Sequence, residues 1–404
     1  MKGRNIFLVN NLKAGGTEKQ VSQLACNDYV SLLICIQPIT EYPYPKEKTV
    51  FLLKKAPVNI LLKLFYFPLI ILKLYKLKLN KNDKLICFLQ QSLVIGWLAH
   101  KLFGVKLITS IRTNTSSYYR FGKTMKMPKY FFKKILNDSS AIVTNSETIK
   151  SDLKKYTHNG NIAVIPNGYH LEEVDHGSRE SIGHLADFFA NNKVIVNVGR
   201  LEYEKAQRGL IKIFSEVVKK NETVKLVIIG KGSLKNQLFE TCKNLRLRFG
   251  TAETGPTELE KCQVLFLGFQ LNPYKFLSRS YLFAFTSLFE GLPNAPVEAL
   301  LCGTPCVLAD CESGPREILL QNEFLKKDVA TPLRTSFGYL LPTLRIQSGG
   351  TDRLLQKEET IWTDTILQLV NDELEYSDLK NATFGIRSIY NSERISLLWK
   401  EVLN

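Results

Sequence analysis

"YLFAFTSLFEGLPNAPVEALLCGTPCVLAD", residues 281–310, decides how this chain is read. It opens on an apolar, aromatic-rich run of strand length and passes through a loop containing Gly291, Pro293 and Asn294. A short apolar helix pattern comes next, and Gly303-Thr304-Pro305 leads into a second apolar run, "PCVLAD". Pro296 suits a first helical position and Gly303 a helix end. Strand, helix and strand in so short a span is a βαβ unit, which requires parallel strands. The two acids stand apart in character. Glu298, expected in the first helical turn, gains roughly 0.3–1 kcal/mol from the helix dipole. Glu290 sits in the loop before the helix and has no such reason to be there. Backbone N–H groups around 291–297 are unpaired at a helix start. A carboxylate accepts two hydroxyl hydrogen bonds at once, which suits the diols of a ribose or a hexose.

The same alternation extends in both directions. "NIFLVN", "SLLICI", "KLICFL", "KLITSI" and "AIVTNS" in the first half, and "KVIVNVG", "VKLVIIG" and "CQVLFLG" in the second, are short apolar runs separated by helical patterns. Runs of this kind are strands buried on both faces of a parallel sheet. Two sets in succession predict an α/β chain of two doubly wound, Rossmann-like domains, with ligands at the carboxyl ends of the strands. The turn "IPNG" (165–168) and a polar stretch over 171–190, read as irregular, place the boundary, giving domains 1–172 and 173–385. Residues 321–352 read as loops and short strands, and "RISLLWKEVLN" as a closing helix within 386–404.

Composition sets further bounds. At 404 residues, 45% apolar and 23% charged, the chain is of globular type and long enough for two domains. Eight cysteines show no paired metal spacing; Cys302, Cys306 and Cys311 read as small buried hydrophobes of a reduced, cytosolic protein. The apolar run "IFLV" near the start is too short for a signal segment and reads as a first strand. "LFYFPLIIL" (64–72) falls well short of the roughly 20 residues that span a bilayer.

Charge is uneven. Residues 1–180 carry a net +15 and the remainder +1. A field of this kind attracts an anionic surface or polyanion. Within 58–84, aromatic and aliphatic residues interleave with Lys63, Lys73, Lys76, Lys78, Lys81 and Lys84, and Pro68 is expected to kink or split a helix there. The segment reads either as a core helix with a basic outer face or as one that also lies on an anionic bilayer. Residues 118–136 share its composition. Base stacking on these aromatics ranks below both readings, because no nucleic-acid motif accompanies them.

Glycine turns and cations recur at the predicted strand ends. Gly15-Gly16 precedes a helix with Thr17 as a candidate N-cap; Gly199, Arg200 and Lys205 come after one strand, and Gly230 and Gly232 after the next. Glycine pairs let backbone N–H groups approach an anion, and Arg binds a diphosphate through two parallel bonds. Each feature alone also suits an ordinary turn or a solvated charge. Together they line the edge where a doubly wound domain binds a nucleotide.

With these residues in hand, the chain resembles the retaining GT-B glycosyltransferases of family 4. Glu290 and Glu298 match its E-x7-E motif, and "GGTE", "IPNG", "NVGRLEYEK", "FLGFQLNPYKFL" and "SGPREIL" match over essentially the whole chain. The resemblance implies two Rossmann-like domains facing across a cleft, with the last helix crossing back to the first. It implies that Glu298 binds the ribose diol, Glu290 lies against the donor sugar, and Arg200 and Lys205 hold the diphosphate. Gly16, Gly199, Gly230, Gly291, Leu292 and Asn294 would contribute donor contacts, with Phe269 near the base. The expected reaction is glycosyl transfer with retained configuration and without an essential metal or other cofactor. Fixed positive charge on the departing diphosphate is its main lever, in a same-face displacement.

The pattern departs where many members carry a histidine. Here "TSIRTNTSS" offers Arg112, a candidate for an acceptor phosphate or for a pairing within the fold. Tyr169-His170 stands where an acid is common, and His100 reads as structural. The expectation is a transferase using a nucleotide-sugar, a UDP-sugar by preference, on a lipid-linked or oligosaccharide acceptor in bacterial surface-glycan synthesis. It would work on the anionic inner face of the cytoplasmic membrane, without nucleic acid. A sugar-nucleotide epimerase of the same layout, or a basic binding module, are the alternatives.

Overall fold

All ten apolar runs are strands. The computed structural model describes residues 3–13, 15–55, 60–121, 127–311, 313–321, 328–345 and 355–404; Lys63 and part of the second basic segment lie outside the described side chains. The chain divides into two compact units, one of Met1–Gly168 with Ser392–Asn404, the other of Tyr169–Asn391. The division therefore falls before Tyr169 rather than at 172–173, and the returning segment starts at Ser392 rather than 386. Tyr169 explains this: it is fully buried in the second unit's core, and its N–H donates to Tyr390 O at 2.9 Å.

The first unit is a seven-stranded, wholly parallel sheet. Its strands are β1 (Asn5–Val9), β2 (Leu32–Cys35), β3 (Thr49–Phe51), β4 (Lys84–Phe88), β5 (Lys106–Ile111), β6 (Ala141–Thr144) and β7 (Ile162–Val164). They lie in the order 3-2-1-4-5-6-7. Alternate residues feed opposite faces, as strand geometry demands. Ile6 and Leu8 join one core layer, Phe7 and Val9 the other. Helices α1 (Gly16–Ala25), α2 (Ile60–Lys76), α3 (Gln90–Phe103), α4 (Thr115–Phe121), α5 (Lys129–Asp138) and α6 (Glu147–Leu153) connect the strands. The closing helix Ser392–Leu403 covers the Phe7 layer, where Trp399 lies 5.8 and 6.2 Å from the rings of Phe7 and Phe88.

Two local expectations change here. Thr17 is not an N-cap: α1 begins at Gly16, with Gly15 as its cap, and Thr17 is inside the helix. Pro68 does not split its segment either, since α2 runs through it. Pro68 is exposed, while buried Ile70 and Leu74 anchor the helix beyond it. The core face and the basic outer face expected of this segment belong to one helix. It packs into the core, and it exposes Leu69, Leu72 and Tyr75 beside Lys73 and Lys76.

The second unit holds an eight-stranded sheet. It comprises β8 (Lys193–Val198), β9 (Val224–Ile229), β10 (Phe249–Thr251), β11 (Val264–Gly268), β12 (Leu282–Phe285), β13 (Cys306–Ala309), β14 (Leu333–Thr335) and β15 (Gly338–Leu341). Their order is 10-11-9-8-12-13-15-14, parallel except for the β14–β15 pair at the edge. The stretch read as irregular contains the helix Leu171–Arg179, docked so closely that a Cβ on Gly177 would meet Asn272 and Tyr274 at 3.0 Å. Leu171 and Val174, one helical turn apart, face the core of the second unit. Among the described residues no helix is long and apolar enough to cross a membrane.

Candidate functional site

The order of the second sheet reverses between β8 and β12, the switch point at which doubly wound sheets open a crevice. The two strands pair over only Ile195–Leu282 and Val196–Phe283. Beyond that the buried Asn197 amide spans the gap, donating to Ala284 O at 2.8 Å. The candidate site lies just past the two carboxyl ends: Gly199, Arg200 and Lys205 beyond β8, Glu290 to Asn294 beyond β12.

Lys205 and Glu290 meet there. Their side chains form a direct ion pair, only 14% and 12% exposed, and the Lys205 ammonium also lies 5.2 Å from the centre of the Phe285 ring. Lys205 is aimed by a strained neighbour. Ala206 adopts φ +52°, a left-handed conformation that costs a non-glycine residue about 1–2 kcal/mol. Thr286 spans the two segments, its hydroxyl donating to Lys205 O (3.1 Å) and Ala206 O (3.3 Å), and Leu288 N–H donates to Glu204 O at 2.8 Å. Cys311 is buried beside the pair. Burial, then the charge of Glu290, pushes its thiol well above the ordinary value, so it remains a neutral thiol there.

Arg200 stands further out. Its side chain is 62% exposed and donates to Glu204 Oε1 at 2.8 Å. Gln207, itself buried, holds Arg200 O at 2.9 Å. Gly199 and Gly230 stitch the adjoining strand ends together: a Cβ on Gly230, whose φ is +153°, would lie 1.8 Å from Gly199 O. Phe269 comes directly after β11, and the Lys231 ammonium sits 4.8 Å from its ring centre.

The loop after β12 is clamped from the far side. Ser313 Oγ donates to Glu290 O (2.5 Å) and Gly291 O (3.2 Å), and Gly314, at φ +57°, leaves Gly291 O no room for a Cβ. The next helix is Asn294–Leu301, so Pro296 is its third residue rather than its first. Glu298 is correspondingly its fifth, in the second turn rather than the first, and 4% exposed. A dipole account of Glu298 therefore fails; it is a buried carboxylate one turn in. Asn294 Oδ1 accepts from Tyr169 Oη at 3.1 Å, and the Leu292 side chain is buried in the core.

The remaining two expected residues belong to the first unit. Gly16 is the first residue of α1. Arg112 comes after β5, with Nε donating to Ser110 Oγ at 3.3 Å, Nη1 to Asn167 Oδ1, and its guanidinium 5.7 Å from the Phe88 ring centre. His100 is structural: Nδ1 lies 2.7 Å from Val105 O at the end of α3. The sequence reading missed Lys231, Glu204, Thr286 and Ser313. Lys231 follows "VKLVIIG", Glu204 and Ser313 lie in "NVGRLEYEK" and "SGPREIL", and Thr286 lies in the stretch 281–310, but only folding shows what they touch.

This geometry has relatives. The family described as Glycosyltransferase Family 4 matches residues 33–173, and that described as Glycosyl transferases group 1 matches 186–329. An uncharacterized glycosyltransferase of Methanocaldococcus jannaschii is 32% identical over 68% of this chain and 67% of its own. The N-acetylgalactosamine-N,N'-diacetylbacillosaminyl-diphospho-undecaprenol 4-alpha-N-acetylgalactosaminyltransferase of Campylobacter jejuni is 30% identical over 80% and 85%. The chain is a GT-B glycosyltransferase of family 4. The fold is also that of Anabaena HepE in complex with UDP and glucose, with TM-score 0.73 over 99% of each chain at 18% identity. For this glycosyltransferase, the switch-point residues are the natural place to look for the donor.

Proposed function

We propose that this glycosyltransferase moves a hexosyl or N-acetylhexosaminyl group from a UDP-sugar to a lipid-linked acceptor of a bacterial surface glycan, with retention of configuration. The observation that carries the donor half is the Lys205–Glu290 pair at the switch point. A cation and a hydroxyl-accepting carboxylate lie side by side, as a sugar joined to a diphosphate requires. Lys205, with Arg200, takes the diphosphate; Glu290 turns to the sugar hydroxyls, Glu298 to the ribose, and Phe269 lies toward the base. Gly16, Gly199, Gly230, Gly291, Leu292 and Asn294 supply backbone and side-chain contacts to the donor. HepE binds UDP and glucose on the same fold, and the Campylobacter relative acts on a diphospho-undecaprenol acceptor, which supports the donor and acceptor classes.

In the reaction the bond from the anomeric carbon to the diphosphate oxygen breaks, leaving an oxocarbenium-like sugar. The acceptor hydroxyl bonds to the same face, and its proton passes to the leaving phosphate. Positive charge fixed on that phosphate acts where negative charge develops, the placement that contributes most to such a barrier. The two side chains carry the role a divalent cation would take, so chelation is expected to leave the rate unchanged. The basic, aromatic-rich first unit rests on the anionic inner face of the cytoplasmic membrane.

The test offers UDP-glucose, UDP-galactose and their N-acetylamino counterparts with and without an undecaprenyl-diphosphate-linked sugar in vesicles. Transfer only with acceptor, an α-linked product by NMR, and loss of turnover in Glu290→Ala and Arg200→Ala are expected. Turnover intact in both variants sinks the proposal, as does conversion of the UDP-sugar into its epimer without acceptor.

A further inference from the structure

The first unit contains a cavity of about 160 Å³ that none of the donor chemistry uses. Leu93, Ile111, Tyr119 and Phe132 make its apolar wall, and Arg112 lies at its border. Among the described residues no Asp or Glu lines it. The hydroxyls of its two tyrosines are engaged: Tyr119 Oη donates to Met127 O at 2.8 Å, and Tyr118 Oη to Gln90 Oε1, itself in the lining, at 3.2 Å. Thr17, Gln90, Ser110, Thr113 and Thr115 complete the lining beside the Arg112 guanidinium, so hydrocarbon and ring share the wall with neutral polar groups. Leu89, also in the wall, holds φ +70°, a conformation seldom kept by a branched residue without a constraint.

The helices of the wall continue to the protein surface. Toward its end α3 carries Trp97, with the Lys101 and Lys134 ammonium groups each 5.8 Å from its ring and Phe131 edge-on at 5.1 Å. Beyond lie exposed Leu102 on α3 and Tyr130 on α5, and Lys129 of α5 sits 5.4 Å from the Tyr119 ring itself. The cavity is thus joined, through two helices, to the basic aromatic surface that suits an anionic bilayer.

We propose that this cavity takes the head-proximal segment of a polyprenyl carrier, with Arg112 on the phosphate to which that chain is joined. The assignment rests on the proposed lipid-linked acceptor and goes further, locating the part of it that is lipid. An apolar cavity of about 150 Å³ takes a benzene-sized group, so this space admits about one branched five-carbon unit and the rest of any chain lies outside it. A methyl-branched, unsaturated segment against aromatic and branched side chains fills such a compact space better than a straight one.

The test measures binding to the full chain of three probes: inorganic phosphate, geranyl phosphate and decyl phosphate. Geranyl phosphate is expected to bind at least about tenfold more tightly than either other probe, since each extra buried carbon strengthens binding. Leu93→Trp, which fills the space, should remove that advantage. A diazirine-bearing prenyl phosphate should label wild-type residues within 89–93 or 111–119, so the outcome does not depend on the variant folding. Equal binding of decyl phosphate overturns the assignment to a prenyl chain; equal binding of phosphate, or labelling elsewhere, overturns the cavity. UDP binding is measured in parallel. Its failure counts against the proposed donor, whereas prenyl binding failing with UDP binding intact counts against the cavity alone.

Discussion

Glu290 and Lys205 stand 85 residues apart in sequence and pair across the two strand ends that define the switch point. Each has a reason to be there without ligand, because each offsets the other's burial. Removing one partner of a buried pair costs about 3–5 kcal/mol, and their slight exposure puts this pair near the lower end. Glu290→Gln is therefore expected to lower the melting temperature of the ligand-free protein and to cut turnover at least about 100-fold. It should also make UDP a better stabiliser than it is for wild type, because the diphosphate supplies the anion Lys205 has lost. Thermal shifts with and without UDP check this; the same UDP shift in both proteins would take the diphosphate away from Lys205. Arg200 makes the opposite case. It is mostly exposed and its ion pair is with Glu204, a surface pair worth about 0–1 kcal/mol. Arg200→Ala should leave urea unfolding within about 0.5 kcal/mol of wild type yet lower kcat/KM about 10- to 100-fold. Equal loss of stability and activity would make Arg200 a structural residue.

Among the elements, the join of α2, β1 and β4 hangs on one carboxylate. Asp83 is 1% exposed and accepts from Arg4 N–H (3.0 Å), Arg4 Nε (3.2 Å) and Nη2 (2.7 Å), and from Asn80 N–H and Nδ2 (both 3.1 Å). Arg4 also donates to Leu77 O and Lys78 O past the end of α2. Burial pushes the Asp83 carboxyl up, but the bonds from Arg4 and Asn80 outweigh it and hold it below its usual range. A carboxyl with a depressed folded value stabilises the fold above the unfolded value, about 3.9, and loses that contribution as pH falls through the lower folded value. Asp83→Asn should thus cost about 2 kcal/mol at pH 7 and progressively less toward pH 3, read from urea midpoints across that range. A constant difference across the range would place the loss elsewhere. No pattern in the sequence announces this join. Runs such as "KLICFL" are legible as strands because both faces are buried, so composition alone marks them. The three-residue strands β3 and β10 are not, since so few residues carry no period and only pairing with a neighbour makes them strands. The helix Leu171–Arg179 carries only Leu171 and Val174 as large apolar residues, and in α2 a proline argues locally for a break that the packing of the helix overrides. At the site, Glu290, Lys205 and Arg200 could be singled out by type and place. That the first two touch, while the third turns to Glu204, is a property of long-range packing.

At the scale of the whole molecule, charge tracks the division into units more sharply than it tracks the halves of the sequence. The first unit carries 28 Lys and Arg against 10 Asp and Glu, a net of +18, and the second 26 against 28, a net of −2. A folding requirement would not sort charge this way, because the two sheets are alike in kind and each buries its strands. The excess instead lies with the unit whose surface also shows Leu69, Leu72, Tyr75, Leu102 and Tyr130. Apolar side chains among lysines gain from a bilayer twice, by burial at the headgroup boundary and by attraction to anionic lipid. Lys73 and Lys76 flank the exposed Leu72 and Tyr75 on α2, and each lysine near such a surface is worth about 1 kcal/mol. Replacing both by Glu should weaken partition onto vesicles containing phosphatidylglycerol by at least about tenfold. Added salt should weaken wild type far more than the variant, since screening removes the charge term and leaves the apolar one. Sedimentation with vesicles of graded phosphatidylglycerol content gives both readings, and an unchanged UDP-induced thermal shift confirms that the variant is folded. Equal partition of the two proteins would show that this face does not meet the membrane, and that the charge of the first unit serves something else.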